Sequence, residues 1–191
     1  MRFASCAAVA ALLLAACAKD EAPAAAAAPD TTPATTAPAA VAAPAQPAKP
    51  VLPADAAASR ALLDAWLETM NRHDDAAAAA LLADDVQVFD ALLANVHRGR
   101  EDARREVIAM YLRAVPDGQW NLRGEPVVSP EGFSYEWVLT GTNQGNWTNY
   151  LRGRGQAINF KGATFARVRD GRISYQATYF DTNALGAQVG W

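Results

Sequence analysis

The sequence predicts an α+β fold for one C-terminal domain, residues 58–191, with three helices first and long antiparallel strands after them. Three observations carry this. Apolar residues recur at helical spacing in two stretches before Pro116. Beyond Gly118 the chain breaks into strand-length pieces separated by turn signals. The first third holds no core material: residues 18–57 contain 18 alanines, 8 of the 11 prolines and no aromatic.

Taken in order, Leu63, Trp66, Leu67 and Met70 form an i, i+3, i+4, i+7 stripe, so 60–72 reads as an amphipathic helix with Ser59 as its cap. Asp74 or Asp75 opens a second, short helix through Leu82. Val86 to Phe89 alternates as a strand, and a polar loop runs on to Gly99. Ile108, Tyr111, Leu112 and Val115 mark a third helix, 101–115, with Glu101 and Asp102 at its positive end. Pro116-Asp117-Gly118 stops it. Strands follow at 119–128 and 133–141, separated by Ser129-Pro130-Glu131-Gly132. Two more, 156–169 and 172–181, are joined by Asp170-Gly171, a strong hairpin signal. A curved sheet with three helices on one face leaves a conical cavity, a natural seat for an apolar ligand.

The N-terminus reads as an address. Arg2, the apolar run 7–16 and Cys17 after small residues have the pattern of an export signal, too short to span a bilayer. Leu14-Ala15-Ala16-Cys17 resembles a bacterial lipobox, which implies removal of 1–16 and lipidation of Cys17. Ala18 after the cysteine resembles the outer-membrane sorting pattern, so the expected location is the periplasmic face of the outer membrane. Residues 17–57 then form an Ala/Pro-rich tether, with nothing to bury and no room for a long helix. As extended polyproline it would reach on the order of 120 Å, and as a flexible coil about 35 Å.

Composition excludes some functions. With 17 Lys+Arg against 20 Asp+Glu there is no cationic surplus for nucleic acid. The two cysteines, Cys6 and Cys17, both precede the domain, and the two histidines, His73 and His97, lie far apart. No metal site and no cofactor is therefore expected. His97 falls in a polar loop and His73 at a helix end, and neither is expected to act chemically. Gly153-Arg154-Gly155 is a turn rather than a phosphate loop.

Ala83-Asp84-Asp85-Val86-Gln87-Val88-Phe89-Asp90 followed by Gly99-Arg100-Glu101, the hairpin 165–173, and the ending Tyr179-Phe180-Asp181 with Gln188-Val189-Gly190 together resemble the nuclear transport factor 2-like superfamily. The closest branches are the SnoaL-like polyketide cyclases and ketosteroid isomerases. The resemblance implies an α+β cone, often dimeric through its sheet, and no single reaction. It implies that Asp90 stands where the isomerases keep their general base, and Asp181 where the cyclases keep an acid/base and limonene epoxide hydrolases a water-activating aspartate. Trp66 stands in place of the isomerase tyrosine and Thr164 near its second acid. The hydrolases' Arg-x-Asp is missing from 158–164.

Asp90 and Asp181 are thus the candidate catalytic residues, since a carboxylate in an apolar pocket has its pKa tuned for proton transfer. Each has a structural alternative: Asp90 can hold the loop after it, and Asp181 can pair with an arginine. Trp66, Phe89, Trp147, Tyr150, Thr164 and Tyr179 are candidate ligand contacts, with Trp147 and Tyr150 at the cavity mouth. Phe133, Tyr135 and Trp137 alternate on one strand face and read as core or subunit interface. Three functions stay open: a tethered domain binding a small hydrophobic molecule, an acid/base enzyme, and a module that pairs with itself or a partner. A homodimer is the expected assembly.

Overall fold

The computed structural model describes residues 56–190. The expected signal segment 1–16, the expected lipid site at Cys17 and the expected tether up to residue 55 lie outside the described residues, as does Trp191.

The helical stripe forms as its spacing requires. Helix α1 (Ala57–Asn71) buries Leu62, Leu63, Trp66, Leu67 and Met70. It starts before Ser59, so Ser59 is not its cap. That side chain is buried in the first turn and donates to the Pro130 carbonyl at 3.2 Å, tying the helix to a distant turn. Helix α2 (Asp75–Ala80) is capped by Asp74, whose carboxylate accepts from the Ala77 N–H at 2.9 Å. It ends two residues earlier than expected because Leu82 already begins strand β1 (Leu82–Asp90). The segment expected to be a polar loop contains strand β2 (Val96–Arg98), paired antiparallel with β1. The third helix is composite: α3 (Arg100–Asp102), a π-helical stretch (Ala103–Ile108) and α4 (Ala109–Ala114).

Strands β3 (Gln119–Ser129), β4 (Gly132–Asn143), β5 (Gln156–Arg169) and β6 (Arg172–Phe180) follow. Asp170 and Gly171 both adopt positive φ, 53° and 70°, the geometry of a two-residue turn between tightly twisted strands. The sheet order is β2-β1-β6-β5-β4-β3. It is not wholly antiparallel: β1 lies parallel to β6. These two strands are distant in sequence and meet through a long crossover, and a crossover rather than a hairpin permits parallel pairing.

One further element was not expected. Helix α5 (Thr182–Val189) follows β6, with the Asp181 carboxylate accepting from Asn183 and Ala184 N–H groups and Gly190 ending it at φ 77°. Leu185 and Val189 bury its inner face. The Gln188 amide donates to the Asn159 carbonyl and its oxygen accepts from the Asn159 N–H, locking the helix to β5.

Together these elements form the cone. Its inner face carries Tyr135, Trp137 and Leu139 from β4, Ile158, Phe160 and Thr164 from β5, and Val86, Val88 and Asp90 from β1, all buried. Trp137 lies directly opposite Gly162, and a Cβ at residue 162 would sit 2.4 Å from its Cζ2. The bare backbone there is what admits the indole.

Candidate functional site

A single row of side chains crosses four strands on the concave face. Tyr135 is opposite Thr164, Thr164 opposite Thr178, and Thr178 opposite Asp90. Residues opposite one another share a face of the sheet, so all four project inward. All four are buried, and Asp90 completely so. A polar band inside an apolar cone survives only if its members are partnered. The Trp137 indole N–H donates to the Thr164 hydroxyl at 2.9 Å, and the Thr164 and Thr178 hydroxyls are 3.2 Å apart. The Tyr111 hydroxyl donates to Asp90 Oδ2 at 2.8 Å, and the Leu92 N–H donates to Oδ1 at 2.9 Å.

Beside this band is a cavity. Trp66, Trp120, Trp137, Tyr111 and Tyr135 supply five aromatic rings to its wall. Val107 and Ile108 reach it from the π-helical stretch, a distortion that frequently marks functional sites. The space open to the centres of water-sized spheres is about 30 Å³. One water needs roughly 10–15 Å³ on this measure, so the cavity suits a ligand of a few heavy atoms. It is far below the roughly 300–1,000 Å³ of pockets for drug-sized ligands. The roomy cone expected from the fold is largely filled by its own aromatic side chains.

The sequence profile of the SnoaL-like polyketide cyclases matches residues 57–189, from the first residue of α1 to the last of α5. The chain belongs to the SnoaL-like polyketide cyclase family. Solved structures share the fold of this SnoaL-like domain. A SnoaL-like protein of Jannaschia sp. CCS1 superposes with a TM-score of 0.66 at 12% identity, over 74% of this chain and 97% of its own. A candidate polyketide cyclase of Xanthomonas campestris pv. campestris gives 0.58 at 26% identity, over 71% and 98%. A protein of Catenulispora acidiphila with a ketosteroid isomerase-like fold, solved in complex with trimethylamine, gives 0.56 at 19% identity, over 68% and 92%. Among curated proteins none matches.

The SnoaL-like site sorts the sequence candidates sharply. Trp66 and Thr164 line the cavity. Asp90 lies just behind its wall, reached through Tyr111 and Thr178, both of which line it. Asp181 does not join them: it is exposed, and its carboxylate is used as the cap of α5 rather than in an arginine pair. Phe89 and Tyr179 are on the opposite face of the sheet, stacked on each other at 5.3 Å. Strand alternation dictates this, since Val88 and Asp90 point in and Phe89 must point out, as Thr178 and Tyr179 do in turn. Trp147 is not at a cavity mouth but packed into the core, edge-on to Tyr111 at 5.3 Å, with its N–H donating to Asn143 Oδ1. Tyr150 is 85% exposed and takes no part.

Burial shifts the ionisation of the site's acid and phenols upward. Burial pushes the Asp90 carboxyl above its ordinary range, against the pull of the Tyr111, Leu92 and Leu93 hydrogen bonds and of the His97 charge. Burial and the neighbouring carboxylate push Tyr111 well up, and burial carries Tyr135 to about 12. Both phenols therefore remain donors at neutral pH. His97, from the segment read as a polar loop, is half-buried: its Nδ1 is 3.1 Å from Asp102 Oδ2, and its buried Nε2 has no partner. Gln176 Oε1, on the cavity wall, is likewise buried without a partner. Tyr111, Tyr135, Gln176 and Thr178 were missed as site residues. The signal available for Gln176 was a long amide two residues before the inward Thr178 on the same strand. Among the described residues no group of three His, Cys, Asp or Glu side chains is placed to hold a metal ion.

Proposed function

We propose that this SnoaL-like domain binds a small molecule in its cone, and that a lipid on Cys17 holds it at the periplasmic face of the outer membrane. The observation that carries the binding reading is the cavity itself, walled by five aromatic rings and edged by the Thr164 and Thr178 hydroxyls. The trimethylamine complex of the Catenulispora fold relative supports a ligand of that small size. The test is a screen of compounds of a few heavy atoms by tryptophan fluorescence, since three tryptophans line the cavity. A binder whose affinity falls in Gln176→Leu is expected. A screen with no binder, or only binders indifferent to Gln176→Leu and Thr164→Val, overturns the reading.

A second reading, acid/base catalysis, is favoured by the elevated Asp90 pKa beside a Tyr111 hydroxyl that also lines the cavity. In this reading the Tyr111 hydroxyl on the wall passes a proton between the ligand and Asp90 behind it. Turnover that survives Asp90→Asn would exclude it.

The anchor rests on the lipobox pattern at 14–17. Cys17→Ser should move the protein from the membrane to the soluble fraction, and unchanged association refutes the anchor. Self-pairing through the sheet is supported by Phe165 and Tyr179, which are half exposed and stacked edge-on on its outer face. Sedimentation equilibrium of the wild type and Tyr179→Arg tests it, with a monomeric wild type as the refuting result.

A further inference from the structure

The outer face of the sheet carries a groove of its own, separate from the cone. Val127 from β3, Phe165 and Arg167 from β5 and Tyr175 from β6 wall it, and Ser129 and Glu131 stand at the end where β3 turns into β4. Strand alternation puts the walls outside: Arg167 is opposite Tyr175 and Phe165 opposite Ala177, out of step with Thr164 opposite Thr178 within. The groove offers about 390 Å³ on the measure that gives the cone cavity about 30 Å³. Val127 is 72% exposed and Phe165 50%, and the Arg167 guanidinium lies over the Tyr175 ring at 5.3 Å. A ring-lined channel left bare on a sheet face marks an interaction surface.

We propose that the chain covers this groove itself, with residues 48–55 laid across it as a polyproline strap. Three observations select this occupant.

The first is periodicity. Pro44, Pro47, Pro50 and Pro53 recur every third residue. Polyproline II has three residues per turn, so prolines at that spacing share one face. Aromatic-lined grooves take such helices because little ordering entropy is left to lose. Val51 and Leu52, between the last two prolines, are the one adjacent pair of large apolar residues in 18–57. The second is place. Ala56 is buried, and the Ser59 hydroxyl in the first turn of α1 donates to the carbonyl of Pro130, between Ser129 and Glu131. The chain therefore enters the domain beside the end of the groove. The third is length. From Ala48 to Ala56 a polyproline helix spans about 25 Å. Crossing from β3 to β6 takes three strand spacings, about 14 Å. The remainder suffices to round the β3–β4 turn.

Covalent attachment favours this segment over a free partner. Joined by so short a link, it competes at an effective concentration on the order of millimolar. Docked, it takes Phe165 away from the face that self-pairing would use, so strap and second copy exclude one another.

The experiment is NMR on the chain from residue 17 onward with Cys17→Ser, which keeps the whole tether and removes the expected lipid site. Nuclear Overhauser effects should connect the Val51 and Leu52 methyl groups to the Phe165 and Tyr175 rings. Val51→Ser with Leu52→Ser should abolish them, shift both ring signals and leave the Trp137 indole signal inside the cone unmoved. A mixture of labelled and unlabelled chains reads whether the contacts lie within one chain, which is the expected result. Absence of contact between the segment and these rings overturns the strap. Contacts that cross between chains overturn it too, and assign the groove to the segment of a second copy. Ring contacts to another copy's sheet overturn it in favour of self-pairing. The wild-type spectrum decides among these outcomes even if the variant fails to fold.

Discussion

Tyr111 and Asp90, 21 positions apart in the chain, meet in a 2.8 Å hydrogen bond that both groups make out of reach of bulk solvent. The phenol comes from the helical layer and the carboxylate from the sheet, so this bond joins the two layers where the cavity ends. It also keeps Asp90 from being an unpaired buried acid.

Tyr111→Phe should therefore destabilise the domain by about 1–3 kcal/mol, the cost of stranding a buried acceptor. The loss should be larger at neutral than at acid pH, because the phenol favours the ionised carboxylate over the neutral acid. Urea unfolding at two pH values reads this directly, and a loss independent of pH would show that the ring's packing rather than its hydroxyl matters.

Asp90→Asn should change stability with the opposite sense of pH. Burial raises the Asp90 pKa above 3.8, so the folded chain holds this proton more tightly than the unfolded chain. The stability it contributes is full below the unfolded value and is lost as pH rises through the folded one. The neutral amide has no such loss. Its melting temperature relative to wild type should rise from pH 3 toward pH 7. A constant difference across that range would contradict the elevated pKa.

Asp181→Ala should cost about 1 kcal/mol through loss of the α5 cap. Asp181→Asn, which can still accept from the same N–H groups, should lose much less. Neither change should alter ligand affinity in the cone. A large binding defect with unchanged stability would return Asp181 to the site.

Gly162→Ala should destabilise by about 1–3 kcal/mol, since the new methyl must displace the Trp137 indole from the strand opposite. Its tryptophan emission should shift as Trp137 leaves Thr164. Pairing it with Trp137→Phe should recover part of the loss, measurable as non-additivity in a double-mutant cycle.

What the sequence discloses follows from how local each signal is. The stripe from Leu63 to Met70 and the Asp170-Gly171 turn each specify their element within a few residues, and both form as read. Strand β2 is three mostly exposed residues and has no periodicity to detect. The parallel β1–β6 pairing is a tertiary choice that no local pattern encodes. Helix α5 has a legible cap in Asp181 and a legible stop in Gly190, but an aspartate at a strand end fits chemistry and punctuation equally. At the site, the alternation through Val88, Phe89 and Asp90 already placed Phe89 opposite to Asp90; its aromatic character obscured that. Tyr111 looked like one more member of an apolar helix face because its hydroxyl partner lies on another element. The polar row needed the register of four strands at once, which only the folded chain supplies.

The place of β6 between β1 and β5 has a consequence for the order in which the molecule can mature. The first strand emerges early, yet its long edge has no neighbour until the last strand arrives from the far end of the chain. Contacts of such sequence separation slow folding. Until that late docking, Thr178 and Gln176 are missing, Asp90 has no strand beside it, and the site does not exist even in outline. A chain truncated before residue 172 loses the central strand rather than an appendage. Its exposed β1 edge would be open to pairing with another unfinished copy. Function in this fold thus begins with its final strand, and any factor that shields an early edge protects the site before it has formed.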